Sequence, residues 1–265
     1  MSLVLRFVDP SNFEITEDFV LFLHCSDGLT GQGLYTTVTN CLKNDLDLDI
    51  AECRGQVYDG AGAVAGKNKG LAALITAVNS LALYTHCFSH QLNLSIQKGC
   101  SIPSVRDMLE SVKDICYFFK FSPPRLEYLD RSIKKYFSCE STQARLKDVC
   151  RTRWVERVKG LSQFEELFVA VHDAIDKMTL ELKGEQAAKA SRRLKHFDFP
   201  FIANLVLTRC IFDLTLPVTL QLQSKSLEIF NDITMIKALK NILQSHLANV
   251  EDNHEKWYKL VTNLA

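Results

Sequence analysis

Neither sign of charge is in excess. Lys and Arg together number 31, Asp and Glu 31, and the formal net charge of the 265-residue chain is zero. No whole-chain basic field gathers nucleic acid, so any such contact must be local. Long apolar runs are lacking too: none approaches the roughly 20 residues that span a bilayer. The start from Met1 to Pro10 has neither the basic n-region nor the apolar h-region of a secretory signal. No membrane partner is expected on that pattern, and a soluble intracellular protein, nuclear or cytoplasmic, is. Cysteine is plentiful at nine residues, but the number is odd and the positions scattered, with no Cys-x-x-Cys pair. That excludes a disulfide framework and predicts reduced thiols. No internal repeat is present.

With 47% hydrophobic and 23% charged residues, the chain can bury a substantial core, in one large domain or two smaller ones. Its character changes near residue 100. Before that point, short apolar or alternating runs at Leu3–Val8, Phe19–Cys25, Ile50–Val57 and Leu81–Cys87 are separated by turn residues and two helical stretches, the alternation of an α/β fold. After it, the pattern is helical almost throughout. Val105, Met108, Leu109, Val112, Ile115 and Phe118 share one face of a helix over Ile102–Phe121, which Pro123 and Pro124 end, and another helix runs to Phe137. Further helices are expected over Trp154–Met178, over Phe201–Leu222 with a bend or break near Pro217, and over Ile233–Val250. Lys183–Lys195 is polar, either a solvated helix or a flexible connection. The expected domains are residues 1–100 and 101–265.

Three segments carry chemistry. In the loop after the third strand, Gly60, Gly62 and Ala65 fit G-x-G-x-x-A, but no acid ends the next strand to hold a ribose. A P-loop fails as well, since Ala61 stands five before Gly66 and Asn68 follows Lys67. Asp59 lies where the strand meets this glycine-rich loop. It is either one of the strand-end carboxylates that hold Mg²⁺ or Mn²⁺ for phosphoryl transfer, or a turn residue favoured in Asp-Gly. Cys87 and His90 have C-x-x-H spacing, with His86 four before His90. They are half of a zinc site without a second pair, or else Cys87 is a small buried hydrophobe and His90 bonds a neighbouring loop. Arg151, Arg153 and Arg157 surround Trp154 at the start of a helix, where the cations suit phosphates and the indole a base. The alternative is a core tryptophan covered by arginine stems.

Taken in order, the three segments resemble hAT-superfamily transposases and the zinc-finger proteins domesticated from them. Cys53, Gly55, Asp59, Gly60, Ala61, Val64 and Gly66 are similar to that family's C-x-G-x-x-x-D-G-A-x-x-M/V-x-G stretch, His86–Leu94 to its H-C-x-x-H-x-L-N-L stretch, and Thr152–Trp154 to its T-R-W. The resemblance implies a partial RNase H-like α/β core followed by a large all-helical insertion domain. It implies for Asp59 the place of the second of three metal-binding acids, and for Cys87 and His90 a supporting motif. For Arg153 and Trp154 it implies contact with nucleic acid at the base of the insertion.

The departures from that family decide the expected activity. Its first acid sits on a strand before the one at Leu3–Val8, for which the chain leaves no room, and nothing in Ile233–Ala265 matches the segment of its third acid. Glu228, Glu251 and Glu255 lack that context and are expected as solvated helix residues. The zinc-finger domain usual at the amino end of the family is not expected within these residues, since they hold no Cys-x-x-Cys pair. One acid of three cannot clamp two metals across a phosphate. The expectation is therefore a catalytically inactive, transposase-derived module that binds nucleic acid or protein, with DNA and related transposase-derived proteins as partners. No cofactor is expected, and Mg²⁺ or Mn²⁺ only if the site is active. The alternatives are an active nuclease completed by other acids or another chain, and a helical protein-interaction domain unrelated to transposition.

Overall fold

The computed structural model describes residues 1–137, 146, 154–224 and 229–265. They divide into two compact units, Met1–Ser95 with the segment that begins at Leu222, and Ile96–Gln221 with the C-terminal helices.

The first unit opens with a hairpin, β1 (Ser2–Val8) antiparallel to β2 (Ile15–Phe22), in register from Ser2 with Phe22 to Val8 with Ile15 and a bulge at Leu3/Val4. Its turn is set by short polar side chains. Asp9 accepts from the amide and hydroxyl of Ser11 at 2.8 and 2.6 Å, Asn12 accepts from the amide of Glu14 at 2.9 Å, and Phe13 takes a positive φ of 59°. Helix α1 (Gly31–Asn40) follows, its first turn capped by Thr30, whose hydroxyl accepts from the amide of Gly33 at 3.2 Å. Leu34, Val38, Cys41 and Leu42 are buried at helical spacing, the last two in a π-helical turn over Cys41–Asp45.

Then come β3 (Gly55–Tyr58), the single turn α2 (Gly62–Ala65), α3 (Leu71–Val78), β4 (Leu83–His86) and α4 (Phe88–Gly99). β3 and β4 pair in parallel, and among the described residues they form a two-stranded sheet separate from β1 and β2. Both sheets rest on one core: Leu71, Ile75 and Ala82 join Leu34, Val38 and Leu42, with Leu3, Leu5, Leu21 and Tyr58 packed against them. Two strands are shifted from their expected places. Ile50–Glu52 is a 3₁₀ turn, because Asp49 accepts from the amide of Ala51 at 2.9 Å and caps it, so the third strand starts at Gly55. The second begins at Ile15 rather than Phe19 because the turn at Asp9–Glu14 starts the pairing earlier.

The second unit is helical: α5 (Pro103–Lys120), α6 (Pro123–Tyr136), α7 (Trp154–Glu166), α8 (Phe168–Glu181), α9 (Gly184–Leu194), α10 (Phe199–Gln221), α11 (Ile229–Ala248) and α12 (Val250–Leu264). Its core is built from Val112, Ile115 and Phe119 of α5, Leu161 and Phe164 of α7, Ile175 and Met178 of α8, and Leu205 of α10. The helix expected over Trp154–Met178 is two. Leu167, at φ −93° and ψ 7°, turns the chain, and Phe164 and Phe168 on either side both reach Phe201, at 6.3 and 6.5 Å between ring centroids. Packing overrides helical continuity there. Pro217, expected to bend or break its helix, lies inside α10, which continues to Gln221. Thr215 and Thr219 donate their hydroxyls to the carbonyls of Phe212 and Thr215 at 2.8 and 2.9 Å in the same stretch.

The polar run Lys183–Lys195 is helix α9, with Gly184 at a φ of 61° at its start. By length and composition α10 is the one helix among the described residues that is long and apolar enough to cross a membrane. Here its Phe201, Ile202, Leu205, Val206 and Phe212 lie in the helical core, and its Arg209 pairs with Glu165 at 2.5 Å.

Candidate functional site

The parallel ladder of β3 and β4 ends level. Tyr58 stands opposite His86, and the amide of Cys87 donates to the carbonyl of Tyr58 at 2.9 Å. Asp59 and Cys87, each the next residue along its strand, are therefore brought side by side at the carboxyl end of the sheet, where parallel sheets present groups to ligands.

Two buried amides hold this edge. Gln56, 5% exposed in the middle of β3, donates through Nε2 to the carbonyls of Ala72 and Ala82 at 3.1 and 2.9 Å and to the hydroxyl of Thr76 at 3.1 Å, fixing β3 to α3 and to the residue before β4. Asn79 donates to the carbonyls of Ile50, Ala51 and Cys53 at 2.8, 3.2 and 2.8 Å and accepts from the amide of Leu81 at 3.0 Å. It joins the segment leading into β3 to the turn leading into β4. The Gln56 Oε1 is buried without a hydrogen-bond partner among the described residues, so the hold on the backbone comes through the Nε2 of Gln56 and through both ends of the Asn79 amide.

Asp59 itself is exposed, and its Oδ1 accepts from the amide of Ala61 at 3.1 Å, closing its own turn before α2. The phenol of Tyr84 donates to the Asp59 carbonyl at 3.4 Å, while its ring stacks on Tyr58 with centroids 6.1 Å apart. Burial, followed by the nearby Cys53 and Tyr84, pushes the Tyr58 phenol up to about 12. Gly60 lies on the His86 ring: a Cβ at that position would stand 3.0 Å from Cε1 and 3.1 Å from Nε2. That contact covers the edge of the imidazole, and Nε2 is buried without a hydrogen-bond partner among the described residues. The rings of His86 and His90 lie 5.8 Å apart, and Cys87 is a half-buried thiol rather than a fully buried one.

Asp59, His86, Cys87 and His90 are thus gathered at one edge of the first unit. Among the described residues no three His, Cys, Asp or Glu side chains come together to hold an ion. The loop fits a dinucleotide no better, because the helix after Gly60 and Gly62 is the four-residue turn Gly62–Ala65. Trp154 begins α7 in the second unit, and Arg153 lies outside the described residues. Arg157, one turn on, is buried at 8% exposure. Glu251 and Glu255 are exposed on α12, with Glu255 paired to Lys259 at 2.8 Å, and Glu228 lies outside the described residues.

Sequence patterns pointed to Asp59, Cys87 and the two histidines but not to Gln56, Asn79, Tyr58 or Tyr84. The one available signal was a lone glutamine between apolar strand residues, which has to be either exposed or satisfied inside.

Residues 1–70 match the family model described as ZMYM1/FAM200, RNase-like domain (DUF4371). Over its whole length the chain is 26% identical to the mouse (Mus musculus) protein named 52 kDa repressor of the inhibitor of the protein kinase, covering 36% of it, and likewise 26% identical to the human (Homo sapiens) protein of that name, covering 35%. The chain thus spans about a third of the length of these curated relatives. No solved structure matches.

Proposed function

We propose that this chain is a domain descended from an hAT-type transposase that works in the nucleus as a nucleic-acid- or protein-binding module and does not cut DNA. The likeness of residues 1–70 to an RNase-like domain supports the descent, together with the meeting of Asp59 with the Cys87 and His90 motif at one sheet edge. A binding role suits a chain whose relatives are named as repressors.

The observation that carries the loss of cleavage is the state of Asp59. Its carboxylate is engaged in closing its own turn, with no group of three ligating side chains formed around it among the described residues. Two-metal cleavage needs carboxylates from several elements converging on one cleft, and a single strand-end acid supplies neither the charge nor the geometry.

The test is strand cleavage by the purified chain supplied with Mn²⁺ and a DNA hairpin, read on a denaturing gel beside the Asp59→Ala variant. The expected result is no product from either protein, with retarded DNA in a native gel. Product that appears with the unaltered chain and vanishes with Asp59→Ala overturns the reading.

A further inference from the structure

The β1–β2 hairpin carries apolar side chains on both of its faces. Residues paired across a ladder share a face, so Ser2, Val4, Arg6 and Val8 stand beside Phe22, Phe19, Glu17 and Ile15. The alternate residues Leu3, Leu5 and Leu21 pack against the core of the first unit. On the other face Val4, Val8, Ile15, Phe19 and Phe22 are 46 to 77% exposed. The bulge at Leu3/Val4 brings Phe19 and Phe22, three positions apart, to the same side, and their rings meet with centroids 4.9 Å apart. An antiparallel pair with one face in water ordinarily turns polar residues outward, so a contiguous apolar outer face marks a surface for a partner.

Charge around that face has one sign. Residues 1–95 hold ten Asp and Glu against five Lys and Arg, although the whole chain is balanced. Over residues 1–42 Asp9, Glu14, Glu17, Asp18 and Asp27 are set against a single Lys or Arg, Arg6. Glu17 lies on the outer face between Ile15 and Phe19, opposite Arg6, while Asp9 and Glu14 flank Val8 and Ile15 at the turn end. Neither Glu14 nor Glu17 forms an ion pair among the described residues.

We infer that this face docks a basic amphipathic helix of a partner protein, its apolar side on Val4, Val8, Phe19 and Phe22 and its Lys or Arg residues reaching Glu14 and Glu17. The inference rests on the protein-binding side of the function proposed above and names the chemistry of that partner. A helix is the usual cover for an apolar sheet face. The length agrees as well: β2 runs roughly 23 Å at about 3.3 Å per residue, which a helix of about 15 residues spans. Charge selects the sign of the partner. A second copy of this chain would bring the same acids against these, and a phosphate backbone or an anionic membrane surface would meet like charge, whereas Lys and Arg are attracted.

The test is fluorescence anisotropy with the full chain and a fluorescein-labelled helical peptide of about 15 Leu, Ala and Lys residues, its leucines on one face. The comparison probes are the same peptide with Glu in place of Lys, and one of equal composition with its leucines scattered round the helix. The Leu-Lys peptide should bind, more weakly as salt rises, and the Glu peptide should not. Binding should weaken roughly tenfold in Phe19→Ala and in Phe22→Ala, as truncation of an interface ring does. Glu17→Lys should weaken it too and flatten the salt dependence. All three side chains lie outside the core, and circular dichroism with urea unfolding checks that the variants fold. If the Leu-Lys peptide does not bind, or binds both Phe variants as well as the unaltered chain, the inference fails while a non-cleaving module that retards DNA stands. Cleavage that depends on Asp59 removes that reading and leaves the peptide result as it is. Equal binding of the scattered peptide shows charge acting alone and overturns the inference. A chain that sediments as a dimer, and as a monomer in Phe19→Ala and Phe22→Ala, overturns it in favour of a second copy.

Discussion

Arg125 and Arg193 lay their guanidinium groups against one aromatic ring, that of Phe118, each 4.2 Å from its centroid. Each is also tied elsewhere. Arg125 donates to the Phe118 carbonyl and to Gln186, both at 3.0 Å, and Arg193 to Asp114 at 2.8 Å. Helices α6 and α9 are thereby fastened to α5 through a ring that is 4% exposed. Burial, and then the charge of Arg193, lowers the Arg125 pKa, so the two like charges coexist at a cost that the ring and the acceptors offset. Phe118→Leu retains apolar volume and removes the π face. It should lower the unfolding free energy by about 1–3 kcal/mol in urea titration. Arg125→Met should then cost less in the Phe118→Leu background than in the unaltered chain; equal costs would show that the ring contributes volume alone.

A second polar cluster joins α6 to α8. Asp173 accepts from the hydroxyl of Ser132 at 2.5 Å and from Lys135, Lys177 and Tyr136 at 2.9, 2.6 and 3.2 Å. Burial raises its pKa, but the hydrogen bonds from Lys177, Ser132 and Lys135 outweigh it and hold the carboxyl well below the usual range. A carboxyl depressed in the folded state adds stability above its unfolded pKa of about 3.9, and loses it as pH falls through the folded value. Stability measured by urea unfolding should therefore drop as pH is lowered from 5 toward 2, over the window set by about 3.9 and the depressed value. Asp173→Asn should flatten that drop and cost about 1–3 kcal/mol at neutral pH. An unchanged acid limb would mean that other carboxylates carry it.

How much of this was legible in the sequence depends on the range of the interaction that sets each element. Pro103 and Pro123 start α5 and α6, and apolar residues at helical spacing mark the buried face of α5, all local signals that a single chain displays. The break at Leu167 was not legible, since no proline or glycine marks it and its cause is the distant Phe201. Glu251 and Glu255 were expected as solvated helix residues and lie in α12, whose start as a separate helix after α11 was not marked out; His246 of α11 stacks on Trp257 of α12, with ring centroids 6.0 Å apart. At the candidate site, Asp59, Cys87 and His90 stood out by residue type, whereas Gln56 and Asn79, which hold that edge, bond to carbonyls 16 to 29 positions away. Arg153 falls outside the described residues, and Trp154 lies in the other unit from Asp59.

The glycines of the loop after β3 differ in what replaces them. A Cβ on Gly60 meets the His86 ring at 3.0 Å, and a side chain can rotate away. On Gly70 it meets backbone: the Gly66 carbonyl at 2.6 Å and that of Val64 at 2.7 Å, with the Gly66 amide closer still. Backbone that also carries the hydrogen bond from the Gly70 amide to the Gly66 carbonyl at 2.9 Å has little freedom to yield. Gly70→Ala should cost about 2 kcal/mol or more, as overpacking against fixed atoms does, and Gly60→Ala under about 1 kcal/mol. Comparison of the two urea midpoints checks the ranking; a larger loss from Gly60→Ala would mean that the His86 ring is the more rigid neighbour.

Asp59 offers the last contrast, between an acid that shapes a turn and one that holds a metal. Its Oδ1 accepts from the Ala61 amide at 3.1 Å, a bond that an asparagine oxygen also makes and an alanine cannot. Asp59→Asn should therefore leave stability nearly unchanged, and Asp59→Ala should lose about 0.5–1.5 kcal/mol, one net hydrogen bond. A metal-binding acid obeys another rule. Any ion that binds the folded chain raises its stability by RT ln(1 + [L]/Kd), so 100 times Kd adds about 2.7 kcal/mol. Thermal melts in millimolar Mn²⁺ and in a chelator should then superimpose for the unaltered chain and for Asp59→Asn alike. A melting temperature that rises with Mn²⁺ in the unaltered chain and not in Asp59→Asn would place a metal on this carboxylate and reopen the case for cleavage.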